Sequence, residues 1–161
     1  MRDIYPRFFR HGTIVDTINA ATSHDSNIRY LDLNLAIDRI VNVVGPASPI
    51  PMSFYFQERF RKPEWRWCGD VTITTYNRES GERSELYKLA AEYMVYGYYD
   101  GTTDRFVEAF VFWTTRLKRR VNTGKLEYTQ SVNKKGQEFA TIPISRLRKE
   151  GILLFQLTRD A

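Results

Sequence analysis

The spacing of apolar and polar residues divides this chain into short segments, some repeating every second residue and some at the helical period. From Thr13 to about Ser23, TIVDTINAATS sets Ile14, Ile18 and Ala21 at helical spacing. This predicts a helix capped by Thr13, with Asp16 in a first turn where the helix dipole favours negative charge. HDSN then breaks the pattern. Between Ile28 and Val44 the chain alternates, with Leu31, Leu33, Leu35 and Ile37 on one face and Asp32, Asn34, Ala36 and Asp38 on the other. That alternation predicts one long strand, or two with a bend. GPASPIP reads as a loop. MSFYFQERFR and DVTITTYN alternate again and predict the next two strands, linked by KPEWRWCG.

SELYKLAAEYMVYGYY is expected as a helix capped by Ser84, because Leu86, Leu89, Ala90, Tyr93, Met94 and Gly97 make one apolar face. Within it Glu85 and Lys88 are spaced to pair. RFVEAFVFWTT is apolar enough for a strand buried on both faces. TTRLKRRVNTG predicts a short basic helix stopped by glycine, LEYTQSVNKKGQEFATIPI a hairpin, and ISRLRKEGILLFQL a short helix or turn followed by an apolar edge strand.

The polar residues that interrupt these patterns are the candidates for chemistry. In MSFYFQERFR, Tyr55, Gln57, Arg59 and Arg61 share one face, while Phe54, Phe56, Glu58 and Phe60 share the other. Asp38 stands where its strand turns apolar, and a carboxylate there is costly unless paired or metal-bound. Carboxylates at Asp38 and Asp70 near an amide and two guanidiniums suit a metal-assisted phosphodiester site. They equally suit an ordinary salt-bridged sheet surface.

Composition narrows the partners. With 161 residues, 42% hydrophobic and 14% aromatic, the chain can bury one core and is expected to be a single domain over 1–161. Its subdivisions are an N-terminal arm at 1–12, a core at 13–112 and a basic helix and hairpin at 113–161. A net charge of +5 favours a polyanionic partner. The densest cations are Arg116, Lys118, Arg119 and Arg120, with Lys134 and Lys135 in the hairpin turn; such clusters are either solvated faces or phosphate contacts. Arg2, Arg7, Arg10 and His11, beside Tyr5, Phe8 and Phe9, form either a nucleic-acid-binding arm or a tuck against the domain. One cysteine, Cys68, excludes an internal disulfide and a multi-cysteine zinc site. No membrane-length apolar run occurs and the N-terminus is too charged for a secretory signal, so a reducing, cytoplasmic setting is expected. Phosphate-binding glycine loops, zinc spacings and Ser-His-Asp signatures are absent.

The predicted αβββαβ order, the Asp38 strand, the polar end of the next strand, AAEYMVYGYY and the TIPISRL tail together resemble the PD-(D/E)XK nuclease-like superfamily, in particular its small phage-type members. The resemblance runs from about Thr13 to Leu154. It implies an α/β fold with a mixed, restriction-endonuclease-like sheet, here with an appended basic helix and C-terminal hairpin. It also implies Mg²⁺ or Mn²⁺ and hydrolysis of a nucleic acid, most naturally DNA, by an endonuclease or junction-resolving activity. A host-cell cytoplasm and a homodimer built on an edge such as GILLFQL belong to the same expectation.

On that resemblance Asp38 matches the metal-binding aspartate, and QER at 57–59 stands in place of the acidic-x-lysine triplet. Gln57 then occupies a carboxylate position and Arg59 the lysine position. Arginine stays protonated and orients or stabilises charge only. Asp70 is therefore the expected second metal ligand with Asp38, and Glu58 the reserve acid. Glu58, Glu85 and Lys88 would support the site from behind. Arg61, Lys118, Arg119, Arg120, Lys134 and Lys135 would hold the nucleic acid backbone. The missing triplet also admits a catalytically inactive nucleic-acid-binding or assembly protein on the same fold. A third reading, an interaction protein, draws on Trp65, Trp67, Tyr98 and Tyr99.

Overall fold

A computed structural model describes residues 4–83 and 85–158. Two sheets organise the chain. The larger is built from β1 (Thr13–Asn19), β2 (Arg39–Gly45), β3 (Ser48–Arg61), β6 (Tyr93–Asp100), β7 (Arg105–Trp113) and β10 (Leu153–Thr158), side by side in that order. All its neighbours are antiparallel except β3 and β6, which run parallel. A parallel pair needs a crossover, and the crossover here carries the start of the second sheet. That sheet has four strands, β5 (Glu82–Arg83), β4 (Asp70–Asn77), β9 (Gln137–Pro143) and β8 (Thr129–Val132), in that order. The helices are α1 (Ile4–Phe8), α2 (Ser26–Leu35), α3 (Glu85–Lys88), α4 (Thr114–Asn122) and α5 (Ile144–Lys149). The result is a mixed α+β fold, as expected.

Each face of the larger sheet has its own core. On one, Phe56, Val95, Val41, Val111 and Phe106 pack with Ile4 and Tyr5 of α1. The N-terminal segment, from Ile4 onward, is thus a tuck into the domain, while Arg2 lies outside the described residues. On the other face Tyr96, Tyr98, Met94, Phe110 and Phe112 meet Val71, Ile73 and Ile142 of the second sheet, together with Leu117 of α4.

The structure bears out β3, β4, β7, α4, the β8–β9 hairpin, α5 and the edge strand β10. It reverses three other expectations. The predicted helix at 13–23 is strand β1 plus a short 3-10 turn at Ala20–Thr22. Thr13, Ile14, Val15, Thr17 and Ile18 are β-branched and favour extended backbone. The predicted strand from Ile28 is helix α2 up to Leu35. Its start is fixed by Asp25, whose carboxylate accepts from the Asn27 and Ile28 amides at 2.8 and 3.3 Å. Its end is fixed by Ala36 in the left-handed region at φ 49°. Leu31 and Leu35 pack inward while Leu33 is 59% exposed, so the helical period governs, not the alternation. The predicted helix from Ser84 to Tyr99 contains only the four residues of α3, and Tyr93–Asp100 is the central strand β6. Buried on both sides, β6 shows a continuous apolar run that mimics a helical face. Gly97 belongs to that strand because a Cβ there would sit 2.6 Å from the Phe106 ring. Ser84, expected as a cap, lies outside the described residues. From α2 to β6 the order is αββββαβ, close to the expected αβββαβ, with β4 and the two-residue β5 in the other sheet.

Candidate functional site

Asp38 is positioned by the turn out of α2. Ala36 reverses the chain, Ile37 is buried, and the Asp38 amide and carbonyl join the ladder, bonding to Phe56 O and Ala20 N at 2.8 Å each. Its side chain therefore falls opposite Gln57. The Gln57 Nε2 and the Glu58 backbone N–H both donate to Asp38 Oδ2 at 2.7 Å. The carboxyl group of Asp32, from α2, lies within hydrogen-bond reach of Asp38. Asp32 is itself tied to Arg29 at 2.9 Å. Burial pushes the Asp38 carboxyl up to about 7; the Glu58 amide opposes the shift, and the neighbouring Asp32 and Glu58 charges add to it.

Gln57 is 8% exposed, and its Oε1 is buried with no hydrogen-bond partner among the described residues. A buried amide oxygen without a partner costs stability. Two adjacent carboxylates and the amide bonded to one of them offer oxygen donors, the kind that hard divalent cations take. Mg²⁺ in particular is often held by one or two carboxylates with water completing its shell. The residues present therefore fit a divalent cation, although the described residues contain no group of three His, Cys, Asp or Glu placed to hold one.

Farther along β3 the same face carries Arg59 and Arg61, and the second sheet meets them with acids. Arg59 Nη1 pairs with Glu85 Oε2, which also accepts from the Thr74 amide at 3.2 Å. Its guanidinium lies 5.9 Å from the Phe139 ring centre. Arg61 pairs with Asp70 at 3.2 Å and stands 5.5 Å from the Trp65 ring centre. The two arginines line an inter-sheet cleft of about 380 Å³ with Thr72, Ser131 and Phe139.

The structure separates the expected metal pair. Asp38 is level with Gln57 and Asp70 with Arg61, four residues on, a distance of about 13 Å along an extended strand. Asp38 and Asp70 therefore do not share an ion, and Asp32 is the acid that meets Asp38. Glu58 contributes its backbone amide here, but its carboxylate lies on the opposite face, bonded to Tyr5 and, at 2.6 Å, to Arg39 Nε. Burial, followed by the Glu58 charge, raises the Tyr5 phenol well above its ordinary value. Glu85 reaches Arg59, and Lys88 pairs with Glu82 at 3.7 Å instead of with Glu85.

Among the expected backbone contacts, Lys118 is used internally, donating to the Leu89 carbonyl at 2.8 Å. Arg120 pairs with Glu150 at 3.3 Å. Arg119, Lys134 and Lys135 are exposed. Reading the sequence missed Asp32 because it was assigned to a strand; on a helix ending just before Asp38, its position was available from the Asp25 cap.

No protein-family model matches this sequence, and no curated protein matches it. Among solved structures the chain is similar to a nuclease from a fusselovirus, at 12% identity and a TM-score of 0.34, over 84% of this chain and 74% of that one. A likeness of that size assigns neither an activity nor a residue role. No helix among the described residues is long and apolar enough to cross a membrane.

Proposed function

We propose that this protein hydrolyses nucleic acid phosphodiester bonds with a divalent cation held by Asp32, Asp38 and Gln57. The observation that carries the reading is the buried Gln57 amide, whose Nε2 donates to Asp38 and whose Oε1 has no partner among the described residues, together with the approach of Asp32 to Asp38. The position of Gln57 one strand from Asp38, with Arg59 next on the same face, agrees with the resemblance to the PD-(D/E)XK superfamily. A bound Mg²⁺ or Mn²⁺ would polarise the scissile phosphate and lower the pKa of a coordinated water.

The chain's own residues do the remaining work. Gln57 Nε2 and the Glu58 amide fix the Asp38 carboxylate, and Arg29 fixes that of Asp32. Arg59 keeps its proton and serves charge stabilisation, with Glu85 setting its direction. The oxygen of the attacking water bonds to phosphorus as the phosphorus–oxygen bond to the leaving strand breaks, the water's proton passing to solvent and the leaving oxygen taking one up from it. DNA is the substrate adopted here.

A second reading, binding without cleavage, is favoured by one observation: Arg59, in the lysine position, is already neutralised by Glu85. A cleavage assay on labelled single-stranded, duplex and four-way-junction DNA separates the two, run with Mg²⁺, Mn²⁺ or EDTA. Hydrolysis predicts metal-dependent cutting that Asp38→Asn and Asp32→Asn each abolish. Binding without cutting of any substrate sinks the hydrolysis reading and leaves the second.

A further inference from the structure

At the end of β7 a second cationic site opens that the centre at Asp38 does not use. It is a pocket of about 380 Å³ with Trp113 in its wall and Arg116, Arg119, Arg120 and Lys125 around it. Trp113 is 42% exposed. No acid is among the described residues that line it. Arg120 is bound to Glu150, but Arg116, Arg119 and Lys125 form no ion pair with any described residue. Arg116 is held by packing instead, its guanidinium lying over Gly151, where a Cβ would come 3.3 Å from Cζ. Lys118 turns inward to Leu89 O, which leaves its neighbour Arg119 on the outer side.

An open indole among four cations, three of them without an acid partner among the described residues, is recognition chemistry for a nucleotide. The ring stacks on a base and the cations hold the adjoining phosphates. Only an unpaired base can use that ring, because bases in a duplex are already stacked on each other. Strand register fixes the location. Arg39, Phe56, Tyr93 and Trp113 form one row across β2, β3, β6 and β7, so Trp113 lies at the Asp38 end of the sheet, three strand spacings or about 14 Å away, with its side chain on the Phe56 face and not on the Gln57 face. Two hydrogen bonds lie between Trp113 and Asp38, Ala90 N–H to Leu35 O at the end of α2 and the Lys118 Nζ side chain to Leu89 O.

We infer that this pocket binds an unpaired nucleotide, so that the substrate class is single-stranded or locally unpaired nucleic acid. The first half stands on the pocket itself; the second rests on the proposed function.

The test measures binding of labelled oligodeoxythymidylate and of a duplex of equal length by fluorescence anisotropy, in EDTA, so that cleavage plays no part. Trp113→Ala should weaken the single strand about ten-fold or more and leave the duplex unchanged. Trp113→Phe should retain most of the affinity. Arg119→Ala should lower the slope of log affinity against log salt by about 0.7. Melting curves establish that each variant is folded, and Trp113→Phe with Arg119→Ala decide the matter if Trp113→Ala is not. Unchanged single-strand affinity in the Trp113 and Arg119 variants, or equal weakening of both probes by Trp113→Ala, overturns the assignment and leaves the cation centre standing. Cleavage that survives Asp38→Asn overturns the centre and leaves the pocket standing.

Discussion

Gln57 and Glu58 are consecutive residues of β3 whose side chains enter opposite faces of one sheet, and the two polar networks they join differ in kind. The Glu58 network is closed: its carboxylate takes bonds from Arg39 Nε at 2.6 Å, Arg39 Nη2 at 3.1 Å and Tyr5. Burial alone would lower the Arg39 value, yet hydrogen bonds and charge from Glu58 leave it raised. The Gln57 network is open. It sets Asp38 beside Asp32, like charge against like, and leaves Gln57 Oε1 without a partner among the described residues. A closed buried pair organises a fold. An open one costs stability until something binds, and for that reason we propose the binding site there.

The largest effect should come from breaking the closed network. Glu58→Ala removes the carboxylate to which Arg39 Nε, Arg39 Nη2 and the Tyr5 hydroxyl bond in a buried setting and should cost about 3–5 kcal/mol in urea unfolding. On the open side a substitution should stabilise. Asp38→Asn keeps an oxygen for Gln57 Nε2 and the Glu58 amide and removes the charge facing Asp32. A carboxyl raised from 3.8 to about 7 contributes stability that is complete below its ordinary range and is lost as pH rises through about 7. The wild type should therefore lose stability between pH 4 and 8 relative to Asp38→Asn. By pH 8 the variant should be ahead by on the order of 1–2 kcal/mol after allowance for solvent screening, a rise of a few degrees in Tm. The smallest stability effect should be that of Arg59→Lys, within about 1 kcal/mol because an ion pair to Glu85 remains possible. That variant should increase metal-dependent cleavage, since lysine, unlike arginine, can help deprotonate water. A loss of cleavage would mean that the arginine fork itself is required.

Much of this contrast could be read from the chain. Period two along MSFYFQERFR separated Gln57 from Glu58, and the boundary position of Asp38 marked it as a carboxylate in need of a partner. The strand pattern of DVTITTYN and the basic helix at Thr114 were equally plain. What the pattern concealed was helix against strand in three places, for one physical reason. Leu31 and Leu35 satisfy both periods, and so does the run through Tyr93, Met94 and Gly97; only packing decides which face is buried. Asp32 was lost with that ambiguity. Asp70 and Lys118 were misjudged because their partners, Arg61 and the Leu89 carbonyl, are set by the arrangement of the two sheets and α4, which no local pattern encodes.

The most direct test of the cation centre is the shift in Tm with Mn²⁺ at pH 7.5, for wild type, Asp38→Asn and Asp32→Asn. A cation that binds only the folded protein raises Tm as its concentration passes Kd. The wild type should gain stability with Mn²⁺ and both variants should not. No shift in the wild type, or the same shift in all three, would contradict a cation site at Asp32, Asp38 and Gln57.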